Sequence, residues 1–384
     1  MQNEILKLIE AETYGRSYRV SKLELDVELD STSRIEYEVP TEVVVNRSGE
    51  TNPTKNPVPL IEQAKNFSAS GLQILNYFLD GTRRVYRVDE IAYLQSRRKT
   101  FYPIVAAQVT VGCCRRVAKK LHVESFADEI ILALPDVANF SGQDGFFPAL
   151  VTKSNARLAE RNSPIRISKF VEYDTSRDIT EKFEDRAIVK ILEHMHNAEI
   201  NLVAELVRRG RLDKKNFLVK DGSLEYRVLP DRKFNPKNYG FVIGVSKKFN
   251  PLLVHDTNKE INPGFVADLP TFHRTPVVIV ERGNFHGENK FAVWYVRLRD
   301  QKFTDSPFDG VVKVEKILVT DDERRTNKID SGEVDMLSAC LVNERNPVCY
   351  GTDGRWANHI YPIFLTESFI KSRSISAETF LHLF

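Results

Sequence analysis

Apolar and polar positions alternate with a two-residue period in YRVSKLELDVEL (18–29) and RIEYEVPTEVVV (34–45), which predicts two half-buried strands. A short helix over residues 2–12 precedes them. The Asn, Gly, Pro and Ser content of residues 46–58 predicts a loop, followed by a short amphipathic helix, PLIEQAKNF (59–67). LQILNYFLD (72–80) is apolar enough for a buried strand, and its closing Asp-Gly predicts a turn. VYRVDEIAYLQ (85–95) and FYPIVAAQVTVGCC (101–114) flank the polar SRRKT (96–100), which is a hairpin pattern. EIILALP (129–135) adds a strand before a loop that runs through Pro148.

From Asp185 to Arg209 the period lengthens to that of a helix, with Gly210 as its stop signal. Shorter apolar runs then predict strands: FLVKDGSLEY (217–226), FVIGVSKKF (241–249), PVVIVE (276–281), KFAVWYVRL (290–298) and GVVKVEKIL (310–318). Residues 320–333 are polar, and the last stretch mixes helix with tail. No repeat or low-complexity tract intervenes. The pattern predicts an α/β protein in which residues 1–70 form an N-terminal extension of strands and a short helix, and residues 71–384 form the main domain.

Bulk properties narrow this only a little. A chain of 384 residues can bury a sizeable core. No apolar run approaches the ~20 residues of a membrane helix, and the first residues lack a cleavable signal pattern, so a cytoplasmic protein with no membrane contact is expected. The four cysteines, Cys113, Cys114, Cys340 and Cys349, have no C-x-x-C spacing and are expected to be buried thiols. A net charge of +2 does not advertise a nucleic-acid binder, yet charge can be segregated locally. Arg83 and Arg84, then Arg97, Arg98 and Lys99, and later Lys247 and Lys248 form basic clusters of that kind.

Three features carry chemistry. Asp80 and Asp221 each close an apolar run and precede Gly-Thr or Gly-Ser, which presents a carboxylate at a strand end where a hard cation can reach it. On the wheel of the long helix, Glu199 falls within the stripe of Ile188, Leu192, Met195, Leu202 and Leu206. A carboxylate there must be paired, protonated or metal-bound. Glu205 is the alternative acid and points off the stripe. In YGTDGRWANHIYPIFL (350–365), His359 stands before Ile-Tyr-Pro as a lone imidazole suited to cation binding or proton transfer, and Tyr350 is placed to orient a phosphate. No phosphate-binding G-x-x-x-x-G-K-[ST] loop, G-x-S-x-G elbow or H-E-x-x-H pair occurs, which argues against an ATPase, an α/β-hydrolase and a zinc protease.

The order FLDGTRR (78–84), acid-bearing helix, DGSL (221–224), GVSKKF (244–249), WYVRL (294–298) and a final His followed by Tyr-Pro (359–362) resembles the NurA nuclease family over roughly residues 70–370. The resemblance implies an RNase H-like mixed sheet flanked by helices, a manganese-favouring (or magnesium) site, and nuclease action on DNA. It further implies a homodimer working with a HerA-type hexameric ATPase, in DNA end processing or antiphage defence. Asp80 and Asp221 match the family's metal-binding aspartates, His359 its late histidine, and Lys247 a lysine that contacts phosphate. The wheel favours Glu199 as the third acid, while the distance from DGSL also allows Glu205.

Phosphodiester hydrolysis needs an activated water and charge neutralisation, which two ions ~3.5–4 Å apart supply. The expected assignment has Asp80 bridging, Asp221 and Glu199 or Glu205 each holding an ion, and His359 completing the second site or acting as general acid. Lys247 would stabilise the phosphate, with Arg83, Arg84, Arg97, Arg98, Lys99, Lys248 and Tyr350 guiding DNA through its backbone. The alternatives are a catalytically silent dimeric adaptor on a HerA-type ring, and an RNase H- or Argonaute-like ribonuclease.

Overall fold

The computed structural model describes residues 4–25, 42–95, 97–140, 142, 144–176, 182–226, 234–251, 254, 262–284, 287–345 and 354–384. Helix α1 (Glu4–Thr13) buries Ile5, Leu6 and Ile9 on one face. Short strands β1 (Arg16–Ser17), β2 (Leu23–Glu24), β3 (Glu42–Asn46) and β4 (Val58–Pro59) follow, then α2 (Ile61–Ser70), closed by Gly71 in the left-handed conformation. Residues 26–41, which hold half of the two alternating N-terminal stretches, lie outside the described residues.

Three long antiparallel strands come next: β5 (Leu75–Gln95), β6 (Arg98–Val117) and β7 (Lys120–Pro135). The strand predicted to stop at Asp80 does not stop there. Gly81 is absent from the positive-φ glycines, and β5 runs straight through, with Asp80 opposite Gly112 and Gly81 opposite Val111. Asp-Gly is therefore a strand-interior pair here, not a turn. The hairpin closes at the far end, where Gln95 pairs with Arg98 and Arg97 takes a left-handed conformation. From Tyr102 to Cys114 strand β6 is buried at every position, as expected where a sheet is covered on both faces.

Helix α3 (Phe146–Glu160) begins inside the predicted loop, and β8 (Lys169–Tyr173) lies parallel to β7. Helix α4 (Phe183–Arg208) matches the predicted long helix and crosses β5 to β8. Its stripe of Ile188, Ile191, Leu192, Met195, Leu202 and Leu206 packs on Leu79, Val109 and Val111. The chain then returns in β9 (Phe217–Asp221), parallel to β5, and β10 (Val242–Ser246), parallel to β9. The order β7-β6-β5-β9-β10, a meander followed by two parallel strands, is the expected RNase H-like arrangement.

The remaining elements extend and cover this core. Helix α5 (Pro263–Ala267) and β11 (His273–Arg274) lead to the antiparallel β12 (Val278–Asn284), β13 (Gly287–Arg297) and β14 (Val311–Ile317), with β14 paired to β10. Helices α6 (Asp321–Thr326), α7 (Ser331–Asn343), α8 (Tyr361–Ser372) and α9 (Ala377–Leu381) complete the chain, α8 lying across β5 and β6. The N-terminal strands are woven into the same sheet: β1 and β2 pair with β5, β3 with β12, and β4 with β11. Cys113, Cys114 and Cys340 are buried free thiols, and Cys349 lies outside the described residues. Among the described residues no helix is long and apolar enough to cross a membrane.

Candidate metal centre

Successive residues on a strand face opposite sides of a sheet, so register decides which acids can meet. Leu79 pairs with Lys220 across the parallel β5–β9 ladder, which sets Asp80 beside Asp221 on neighbouring strands. Asp221 pairs with Val245 on β10, and two residues on, Lys247 emerges on the same face. Helix α8 covers that face and contributes Glu367. One carboxylate oxygen each from Asp80, Asp221 and Glu367 lies within 4.8 Å of the others. Oxygens bound to a single cation at about 2.0–2.6 Å lie at most about 5 Å apart, so this all-oxygen set fits a hard divalent ion.

Lys247 sits among these acids. Its Nζ donates to Asp221 Oδ2 at 2.8 Å and to Glu367 Oε2 at 3.3 Å. Burial opposes its charge, but Asp221, Glu367 and Asp80 together hold the ammonium above the ordinary lysine range. Burial also pushes Glu367 up, yet Lys247 and Lys371 prevail and bring its carboxyl down to about 2. Asp80 goes the other way. It is 7% exposed, and burial, with the neighbouring Asp221 adding repulsion, raises its carboxyl well above the usual range against the pull of Lys247. The cluster thus holds one carboxyl that resists ionising beside a carboxylate that resists protonation.

The DGSL sequence is a built loop. Asp221 ends β9, Gly222 adopts φ 86°, and its N–H donates to the Val245 carbonyl at 2.9 Å. A Cβ on Gly244 would meet the Gly222 carbonyl at 2.7 Å, so β10 also needs glycine beside the loop. Ser223 Oγ and the Leu224 N–H both donate to Glu315 Oε2, at 2.6 and 3.0 Å. Glu315 is fully buried. Burial alone would raise its carboxyl, but Arg282 and Lys313 hold it well below the usual range. The loop that presents Asp221 is therefore pinned to a buried anion on β14.

The acid that the structure groups with Asp80 and Asp221 is Glu367, and neither Glu199 nor Glu205 joins them. Glu199 is buried, but it lies on the α4 side of the sheet, where a Cβ on Gly81 would stand 2.8 Å from its Oε1. Asp80, one residue earlier, points to the α8 side. Glu199 instead stands 3.4 Å from Lys220, which itself donates to the Asp221 carbonyl at 2.9 Å. Burial raises the Glu199 carboxyl against the pull of Lys220. Glu205 is at the surface paired with Arg209. Glu367 was missed although a signal existed: Ile363, Thr366, Glu367 and Ile370 share the i, i+3, i+4, i+7 stripe of α8.

His359 is buried and stacked on Phe364, with ring centroids 5.5 Å apart, but it is not grouped with the three acids. Its neighbour Asn358 donates to the Lys247 carbonyl at 2.7 Å and so fixes that lysine's backbone. Arg83 is half-buried on the Gly81 face, and Arg84 donates to the Ile375 carbonyl at 3.2 Å, holding the C-terminal tail. Arg97, Arg98 and Lys99 stand at the hairpin tip, roughly 50 Å of strand from Asp80 at ~3.3 Å per residue, and do not border the acids. Lys248 is exposed beside Lys247, and Tyr350 lies outside the described residues.

No protein-family model matches the chain, and no curated protein shows significant similarity to it. Among solved structures, the chain is similar to the crystal structure of the NurA nuclease from Sulfolobus solfataricus, over 81% of this chain and 87% of that one, at 11% identity and a TM-score of 0.37. At that level the description of the fold rests on the strand order itself.

Proposed function

We propose that this chain is a divalent-metal-dependent DNA nuclease. The observation that carries the reading is the convergence of Asp80, Asp221 and Glu367 around the Lys247 ammonium, at the adjoining strands of an RNase H-like sheet. Asp80, Asp221 and Glu367 would hold the cation. When bound, it supplies Lewis-acid charge at the phosphate and acidifies water. The three carboxylates offer donors for one ion, and the second ion of the sequence assignment needs further ligands.

The chain's own groups divide the remaining work. Lys247, released from Asp221 and Glu367, presents a point charge to a phosphate oxygen. Asn358 keeps its backbone in place, and the pinned DGSL loop keeps Asp221 from swinging away. The motif order supports the finer parts of the proposal: manganese as the favoured ion, a homodimer, a HerA-type hexameric ATPase as partner, and a cytoplasmic role in DNA end processing or antiphage defence.

The test is cleavage of end-labelled linear duplex and single-stranded DNA with Mn²⁺, Mg²⁺ or EDTA, comparing the chain with Asp80→Asn, Asp221→Asn and Glu367→Gln. Metal-dependent cutting lost in all three variants supports the proposal. A second reading, a silent adaptor, is favoured by Lys247 itself, whose ammonium pairs with both Asp221 and Glu367. Absence of cutting with every metal, with a HerA-type ATPase present, would select it. Cleavage confined to RNA in an RNA–DNA hybrid would move the protein to the ribonucleases.

A further inference from the structure

The outer face of the β5–β6 hairpin tip combines exposed rings with exposed cations. Arg16 pairs with Ala92 and Ala92 with Phe101, so the three form one row across β1, β5 and β6. Leu94 and Lys99 form the next row on the same face. The Tyr18 and Phe101 rings meet edge to face at 4.9 Å, and the Arg16 guanidinium stands 5.3 Å over Tyr18. Lys99 Nζ donates to the Tyr18 hydroxyl at 3.2 Å.

Exposure here is unusual for large apolar groups: 73% for Leu94, 45% for Phe101 and 36% for Tyr18. Arg16 and Lys99 on this face are exposed, and among the described residues neither makes an ion pair. The acid on the same face, Glu90, is engaged by Arg87 at 3.5 Å. The face is thus positive as well as aromatic.

We propose that this face binds single-stranded nucleic acid, with bases stacked on Tyr18 and Phe101 and phosphates held by Arg16 and Lys99. Every base offers a π-face, and guanidinium and ammonium groups interleaved with rings suit a strand whose bases and phosphates alternate. An acidic protein would use the cations but leave the exposed rings without a matching partner. The surface goes beyond the nuclease reading and stands without it, because the acidic cluster lies far down the same strands.

The test is fluorescence anisotropy in EDTA, so that no metal-dependent chemistry intervenes, using labelled oligo-dT and a labelled duplex of about 12 nucleotides. The intact chain should prefer the single strand. Removing two rings in Tyr18→Ala/Phe101→Ala should weaken that binding roughly tenfold or more. Arg16→Glu/Lys99→Glu should weaken it and flatten its salt dependence. All four side chains are exposed or half-buried, and unchanged melting would establish that the variants fold. Unchanged oligo-dT affinity in the folded ring variant overturns the inference. So does a change of oligomeric state in sedimentation without a change in affinity, which would give the face to a protein contact.

Discussion

The Glu199 carboxylate occupies the space that a side chain on Gly81 would need, since a Cβ there would stand 2.8 Å from Glu199 Oε1. Glu199 has little room to move, being buried and 3.4 Å from Lys220, with Met195 also close to Gly81. Gly81→Ala should therefore destabilise the chain by about 1–3 kcal/mol, as overpacking usually does. In a Glu199→Ala background the penalty should largely vanish. Denaturant unfolding of the four proteins in the cycle checks this, and strict additivity would refute the contact.

The opposite-face placement also separates two carboxylates by role. Manganese titration calorimetry on the metal-free chain should show Glu367→Gln weakening binding by more than about 100-fold, beyond what outer partners of a metal site usually cost. Glu199→Gln, which acts only through Lys220 and the Asp221 carbonyl, should stay within about tenfold. The reverse ranking would return the third ligand to α4.

Lys247 balances the acids when no cation is bound. Lys247→Met should cost about 3 kcal/mol in EDTA, because it leaves Asp80, Asp221 and Glu367 close together and uncompensated. Manganese should then raise the melting temperature more in the variant than in the intact chain, since binding to the folded state alone stabilises it. Equal melting of the two proteins in EDTA would remove Lys247 from the charge balance.

Glu315 gives a pH signature away from the cluster. Arg282 and Lys313 depress its carboxyl in the folded chain, and Ser223 donates to it. A depressed acid contributes stability that is complete above its unfolded value, about 4.3, and is lost as pH falls toward the folded value. Glu315→Gln should cost about 3 kcal/mol near neutrality, leaving Arg282 and Lys313 without their partner. Below about pH 5 its stability should fall less steeply than that of the intact chain. Parallel melting curves across that range would contradict the assignment.

Much of the core was legible because its signals are local. The hairpin, the limits of α4 within about two residues, and the strands after it follow from period and turn chemistry. The left-handed glycine at 222 was readable from DGS. The same logic failed at Asp80-Gly81, where an identical dipeptide sits inside a strand because glycine is needed for space beside Glu199. Helix α7 carries Glu333 and Asp335 in its first turns but is buried continuously from Leu337 to Val342, so that half offered no amphipathic period to detect.

The sequence by itself determined the supply of groups: Asp80 and Asp221 at apolar strands, Lys247 beyond the next strand, and a carboxylate on a buried helix stripe. Local hydrogen bonding and side-chain periodicity are enough to set these. Only the tertiary structure decided which of them meet. One residue along a strand reverses the face, so Asp80 turns to α8 while Gly81 opens toward α4. Register across β5, β9 and β10 brings Asp80, Asp221 and Lys247 together, and the docking of α8 adds Glu367 from far along the chain. These are long-range packing choices, made by burial and charge balance across the whole sheet, and no local pattern encodes them.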